Sequence, residues 1–152
     1  MARSDFAFFH TLRVRWAEVD MQAIVFNGHY LTYFDVAFTE YWRATSLPNA
    51  VAQAKDGKEL FTRKASVEYM APARFDDVLD IGVRCLRLGN SSMQFVLEIY
   101  QGEQHLITGE LLYVYADTSL RKGIALPDAW RAIIQQLETT KPTDLAKINL
   151  NE

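Results

Sequence analysis

The chain has a single cysteine among its 152 residues, so it can form no internal disulfide bond, a usage that suits the reducing cytoplasm. It has no apolar run long enough to span a membrane, and its first residues contain no apolar signal segment. A net charge of −3 provides no basic field for nucleic acid. We therefore expect a cytoplasmic protein with no membrane span and no nucleic acid among its partners.

Several catalytic motifs are also missing. The three histidines, His10, His29 and His105, are far apart and lack ligand spacing, so we predict no metal site. The sequence has neither a glycine-rich phosphate loop nor a Gly-x-Ser-x-Gly nucleophile elbow. Cys85 lies in an alternating apolar stretch and has no suggested His or Asn partner, which favours a core position over a nucleophilic role.

Hydrophobic residues are 49% of the chain and aromatic residues 12%, enough for one domain with a substantial core. Leu12, Val14 and Trp16 alternate with polar residues, which is typical of a half-buried strand. Similar patterns recur from residue 60 onward. The predicted strands cover residues 10–19, 60–70, 78–88, 93–100 and 105–116.

A strongly aromatic helix is predicted from about residue 28 to residue 44, with Asn27 as its N-cap. The polar segment 49–58 is expected to be a loop with room for one helical turn, and Pro127 suits the start of a short second helix. This order predicts an α+β fold in which a mainly antiparallel sheet curls around one long helix.

Asp20 ends a strand-like run seven residues before the predicted helix start at Asn27. Such spacing can bring a carboxylate close to helix N–H groups, which stabilise developing negative charge during attack on a carbonyl. Taken alone, Asp20 is more often a turn or capping residue. Glu18 is its nearest rival, whereas Asp35 should lie more than about 10 Å along the helix from the Asn27 amide.

Three segments, 14–35, 63–77 and 89–95, resemble the hotdog-fold thioesterases of the 4-hydroxybenzoyl-CoA thioesterase type, in particular the YbgC-like (Tol–Pal-associated) acyl-CoA thioesterases. The resemblance covers roughly residues 10–138 in register. It implies a five-stranded antiparallel sheet wrapped around a central helix. The expected organisation is one hotdog thioesterase domain over 1–138, followed by a polar tail over 139–152.

The resemblance also implies an acyl-CoA thioesterase that needs no cofactor, because CoA is part of its substrate. Asp20 is the implied nucleophile or general base, and the backbone N–H groups of Asn27 and Gly28 form the implied oxyanion site. Phe26 and Tyr30 are the best candidates to line an acyl pocket. The other substrate-binding candidates are Ser66, Val67, Asn90 and Ser91.

Three positions depart from the family pattern. Ala23 stands where relatives usually have glycine, Asn27 where they often have His or Tyr, and Asn90 where a basic residue is common. Because this loop is expected to pass close to the thioester, the added methyl group at Ala23 is expected to shape or narrow the pocket.

The resemblance further implies a homodimer or homotetramer in which the strand around 65–68 pairs with its own copy. Two alternatives stay open: a non-catalytic acyl-CoA-binding hotdog protein, and a thioesterase acting on acyl carrier protein. A hotdog hydratase ranks lower, because no histidine stands in a matching position. The sequence leaves the acyl group undetermined.

Overall fold

A long helix and five long strands make up most of the structure, a computed structural model that describes residues 1–146. Two further strands have only two residues each. The elements in chain order are β1 Phe8–Arg13, α1 His29–Thr45, α2 Ala50–Lys55, β2 Lys58–Tyr69, β3 Val78–Leu88, β4 Ser92–Gln101, β5 Gln104–Asp117, β6 Lys122–Gly123, α3 Asp128–Leu137 and β7 Thr143–Asp144.

The long strands form one antiparallel sheet in the order β1-β3-β4-β5-β2, and α1 packs across it. The predicted α+β architecture, a curled antiparallel sheet around one long helix, is confirmed. No helix within residues 1–146 combines the length and the apolarity needed to cross a bilayer.

Helix α1 forms because its aromatic residues recur every three or four positions and bury one broad face. Phe38 stacks on Tyr113 of β5 with ring centroids 4.2 Å apart, and its edge contact with Phe95 of β4 spans 5.0 Å. Ser46, at a φ of 60°, ends the helix in the left-handed conformation. The predicted helix is confirmed with its ends shifted by one residue.

Two local predictions were wrong. Strand β1 ends at Arg13, because the Arg15 amide donates to the Glu18 carboxylate (2.7 Å) and draws the chain into the 3-10 helix Trp16–Glu18. The Asn27 side chain does not cap α1; Gly28 occupies that position without a side-chain bond.

The segment 49–58 contains α2, which the Asn49 side chain caps by accepting from the Ala52 amide at 2.9 Å.

The segment after α3 packs against the sheet as far as the structure describes it. Asp144 accepts from Arg131 at 2.6 Å in a buried ion pair, and β7 runs parallel to β3. Glu138 is also buried and accepts a hydrogen bond from Tyr41 at 2.8 Å. Cys85 is fully buried, as its predicted core position requires, and burial raises the pKa of its thiol.

We predict that Gly109→Ala lowers the free energy of unfolding by about 1–3 kcal/mol, a typical cost of overpacking. A Cβ atom at Gly109 would lie 2.1 Å from the Phe34 ring, where α1 packs against β5. Urea denaturation measures the change. Adding Phe34→Leu, which frees space, should recover part of the loss, and wild-type stability in Gly109→Ala would contradict this packing.

Candidate active site

Asp20 begins a tight turn that leads toward α1. Its N–H donates to the Ile24 carbonyl at 2.9 Å, and its own carbonyl accepts from the Ala23 amide at 2.9 Å. Its carboxylate Oδ1 accepts from the Gln22 amide at 2.8 Å. Within residues 1–146 the second oxygen, Oδ2, has no hydrogen-bond partner. The turn therefore orients the carboxylate through one oxygen and leaves the other available.

Ala23 adopts the left-handed conformation, with φ at 62°. For a residue with a Cβ atom, this conformation costs about 1–2 kcal/mol of conformational free energy, whereas for glycine it does not. This explains in conformational terms why glycine suits the position. The turn accepts the strain at Ala23 because its flanking hydrogen bonds to Asp20 fix the backbone.

Two free N–H groups lie at the start of α1. The Phe26 amide donates to the Glu18 carbonyl at 3.0 Å, and the His29 amide to the Phe26 carbonyl at 2.9 Å. Between them, the amides of Asn27 and Gly28 donate to no other group in the described part of the chain. Unpaired N–H groups at a helix N-terminus can bind an anion.

A cavity of about 280 Å³ brings the carboxylate and the helix start together. Asp20 and Asn27 both line it, as do the rings of Tyr30 and Tyr69, whose centroids are 5.6 Å apart. The other residues that line this cavity are Gln22, Ile24, Val25, Met70, Ala71 and Pro72.

The two residues predicted to line an acyl pocket differ in position. Tyr30 lines the cavity and is almost fully buried, and its hydroxyl accepts from the Ala73 amide at 3.1 Å. Burial raises the pKa of Tyr30, so the phenol stays protonated at neutral pH. Phe26 is 50% exposed outside the cavity lining, where its ring packs on His29 at 5.7 Å.

The remaining substrate-binding candidates do not line the Asp20 cavity. Ser66 and Val67 lie near the end of β2, three and two residues before Tyr69, and outside the cavity lining. Asn90 and Ser91 form the turn after β3, whereas the Asp20 turn contacts the segment that precedes β3 through an Ile24–Arg74 bridge. One chain alone therefore does not bring Asn90 and Ser91 to the cavity.

Glu18, the rival carboxylate, has structural partners on both of its oxygens. It accepts from the Arg15 amide at 2.7 Å and the Tyr33 hydroxyl at 3.0 Å, and it forms an ion pair with the Arg15 guanidinium at 3.1 Å. Burial raises the pKa of Glu18, but the bonds and charge of Arg15 together with the Tyr33 bond outweigh burial and leave it below its ordinary value. These contacts hold the turn in place.

Sequence reasoning missed Tyr69 as a site residue. Its hydroxyl donates to the Asn27 carbonyl at 3.2 Å and so ties the end of β2 to the start of α1. Tyr69 belongs to segment 63–77, one of the three that carry the family resemblance. That resemblance was the available signal, since no periodicity distinguishes Tyr69 from other strand aromatics.

A larger cavity of about 770 Å³ lies between α1, α2 and the first half of β2. Phe38, Trp42, Leu60 and Tyr113 provide its apolar walls, and Arg43 lies among its polar residues. Among residues 1–146, no cluster of three His, Cys, Asp or Glu side chains has the geometry to hold a metal ion.

The sheet, the central helix and the cavity at the helix start define a hotdog-fold protein. Residues 22–108, more than half of the chain, match the family described as the thioesterase superfamily. The acyl-CoA thioester hydrolase YbgC of Escherichia coli O6:H1 is 30% identical over 126 residues, which cover 82% of this chain and 93% of that protein. The chain therefore belongs to the thioesterase superfamily, and the predicted class of thioester hydrolases is confirmed.

Solved structures show the same fold. A 1,4-dihydroxy-2-naphthoyl-CoA thioesterase from Synechocystis aligns with a TM-score of 0.78 and 22% identity, covering 84% of this chain and 94% of that one. The Staphylococcus aureus protein SAV2348, solved in complex with CoA, aligns with a TM-score of 0.80 and 17% identity, covering 90% of this chain and 86% of that one.

We predict that Glu18→Gln lowers the free energy of unfolding by about 1–3 kcal/mol at pH 7, through loss of charge-assisted hydrogen bonds. Because the pKa of folded Glu18 is depressed, its ionised form stabilises the fold above the unfolded pKa, and this contribution disappears as pH falls through the folded pKa. Denaturation between pH 3 and pH 7 should therefore show the two proteins converging in acid. A constant difference would contradict this role.

Proposed function

We propose that this protein is an acyl-CoA thioesterase, which hydrolyses the thioester to a free carboxylic acid and CoA. One observation carries the proposal: Asp20 and Asn27 line the same cavity, and the amides of Asn27 and its neighbour Gly28 donate to no other group in the described residues. The first group can activate a nucleophile, and the second can bind an oxyanion. The YbgC relative supports acyl-CoA as the substrate class.

In the general-base route, Asp20 takes a proton from water while the water oxygen attacks the thioester carbon. The carbonyl oxygen becomes an oxyanion and accepts from the Asn27 and Gly28 amides. The C–S bond then breaks, its electron pair leaves on the CoA sulfur, and the proton returns from Asp20 to solvent or thiolate.

In the nucleophilic route, an Asp20 oxygen attacks first and forms a mixed anhydride as the thiolate leaves, and water then hydrolyses the anhydride. Both routes use the same carboxylate and the same amides. A thiolate is a good leaving group, so neither route requires a strong general acid. The composition of the cavity agrees, because no histidine is among its lining residues.

A homodimer through β2 completes the proposal. This 12-residue strand pairs with β5 on one side, and its other edge pairs with no strand of the described chain. Open edges of this length favour pairing with another strand. A two-fold axis crossing β2 makes the new pair antiparallel, which directs the turn with Asn90 and Ser91 toward the partner's cavity. A homotetramer would be a pair of such dimers.

We predict that Asp20→Asn reduces kcat at least 100-fold, because the amide can neither accept the proton nor form the anhydride. Thiol release from a panel of short, long and aromatic acyl-CoA esters measures this. Asp128→Asn, which makes the same change at an exposed carboxylate at the start of α3, is the matched control and should retain turnover. Failure of the wild type on every ester would refute acyl-CoA hydrolysis and favour carrier-bound esters or binding alone.

We predict that Ser66→Lys shifts the protein from dimer toward monomer at low salt. Ser66 is exposed on β2, and its lysine would face like charge across the two-fold axis. Gln101→Lys, exposed at the turn between β4 and β5, is the control and should stay dimeric. Sedimentation velocity distinguishes these states, and a monomeric wild type at high concentration would refute assembly through β2.

A further inference from the structure

Two large aromatic side chains lie together on the surface near the cavity. Trp16 is 72% exposed and Phe75 is 47% exposed, and their rings meet edge to face with centroids 5.2 Å apart. The other two tryptophans, Trp42 and Trp130, are buried. The sequence pattern predicted an inward Trp16, so the structure leaves unburied a ring that normally dominates a core or an interface.

Backbone contacts hold this pair in place. Trp16 starts the 3-10 helix that Glu18 caps through the Arg15 amide. The segment that carries Phe75 is tied to the same region, since the Asp76 amide donates to the Val14 carbonyl at 3.1 Å. The pair is therefore preorganised, which reduces the entropic cost of binding a ligand.

The pair is close along the chain to residues that line the cavity. Trp16 precedes Asp20 by four residues, so their Cα atoms are at most about 14 Å apart. Phe75 follows Pro72, which lines the cavity, and its neighbour Arg74 forms a bridge with Ile24, which also lines it. The arm that separates the thioester of CoA from its nucleotide is long enough to reach from the Asp20 cavity to the Trp16–Phe75 pair.

Three arginines lie close to the pair in sequence. The Arg74 guanidinium forms no ion pair within the described residues. Arg13 pairs with Asp76 in a highly exposed contact of 3.2 Å, and Arg15 pairs with Glu18. An ion pair exposed on both sides, such as Arg13–Asp76, contributes little to stability, so phosphate can compete for Arg13.

We propose that Trp16 and Phe75 bind the adenine of CoA and that Arg74 contacts its phosphates. The proposal rests on the proposed function, which makes acyl-CoA the ligand. Planar bases stack on exposed aromatic rings, and guanidinium groups bind phosphate. The pair is much smaller than a protein interface, which favours a small ligand over a protein partner.

The test compares acyl-CoA with the corresponding acyl-pantetheine, which lacks the nucleotide. In Trp16→Leu and Phe75→Leu, the ratio of kcat/KM for acyl-CoA to that for acyl-pantetheine should fall roughly 5- to 100-fold, the range expected for one lost stacking contact. Arg74→Gln should lower the ratio in the same direction. Lys55→Gln, which removes an exposed charge at the end of α2, is the matched control.

Direct binding provides a readout independent of turnover. CoA should quench the fluorescence of the exposed Trp16 in the wild type, and Trp16→Leu should lose this signal and bind CoA more weakly. Unchanged ratios together with unchanged CoA affinity would overturn the site, even if Asp20-dependent turnover stands. Trp16-dependent CoA binding without any turnover would support the site and refute thioester hydrolysis. Loss of vesicle binding alone in Trp16→Leu would replace the nucleotide site with a membrane contact.

Discussion

The close contact between Phe34 and Gly109 sets the position of α1 on the sheet. Phe34 is fully buried, and its ring occupies the space that any side chain on Gly109 would fill. The helix can therefore lie deep against β5, where Phe38 stacks on Tyr113. The depth and direction of α1 also determine where its N-terminus lies, so this packing contact fixes the place of the two free amides.

Two tyrosines from the first turns of α1 connect that N-terminus to the carboxylate turn. The Tyr33 hydroxyl bonds to Glu18, and the Tyr30 hydroxyl accepts from the Ala73 amide. The Val25 amide donates to the Ala73 carbonyl at 2.9 Å. This bond joins the end of the turn to the segment around Ala73 that Tyr30 also contacts. Asp20 and the amides are thus held by one network, so that an oxyanion site can exist before substrate binds.

The parts of the fold that follow from periodicity could be predicted from the sequence. Helix α1 and the last three long strands agree with their patterns because burial repeats along each element. The end of β1 could not be predicted this way, since the bond from Arg15 to Glu18 interrupts an alternation that continues in the sequence. Tyr69 depends on strand register and on a bond to Asn27, which no local pattern encodes. The catalytic role of Asp20 was predicted from the family resemblance, because the residue alone suggests a turn or a cap.

Strand β2 connects the two cavities of the chain. Tyr69, at its end, lines the smaller cavity beside Asp20, whereas Lys58 and Leu60, at its beginning, line the larger one. Antiparallel pairing of two copies of β2 would place the larger cavity of one protomer next to the smaller cavity of the other. In the proposed dimer, the acyl chain of a thioester held at Asp20 could therefore extend toward the partner's apolar walls, while its nucleotide extends over Trp16. Acyl specificity would then depend on assembly as well as on the residues that line either cavity.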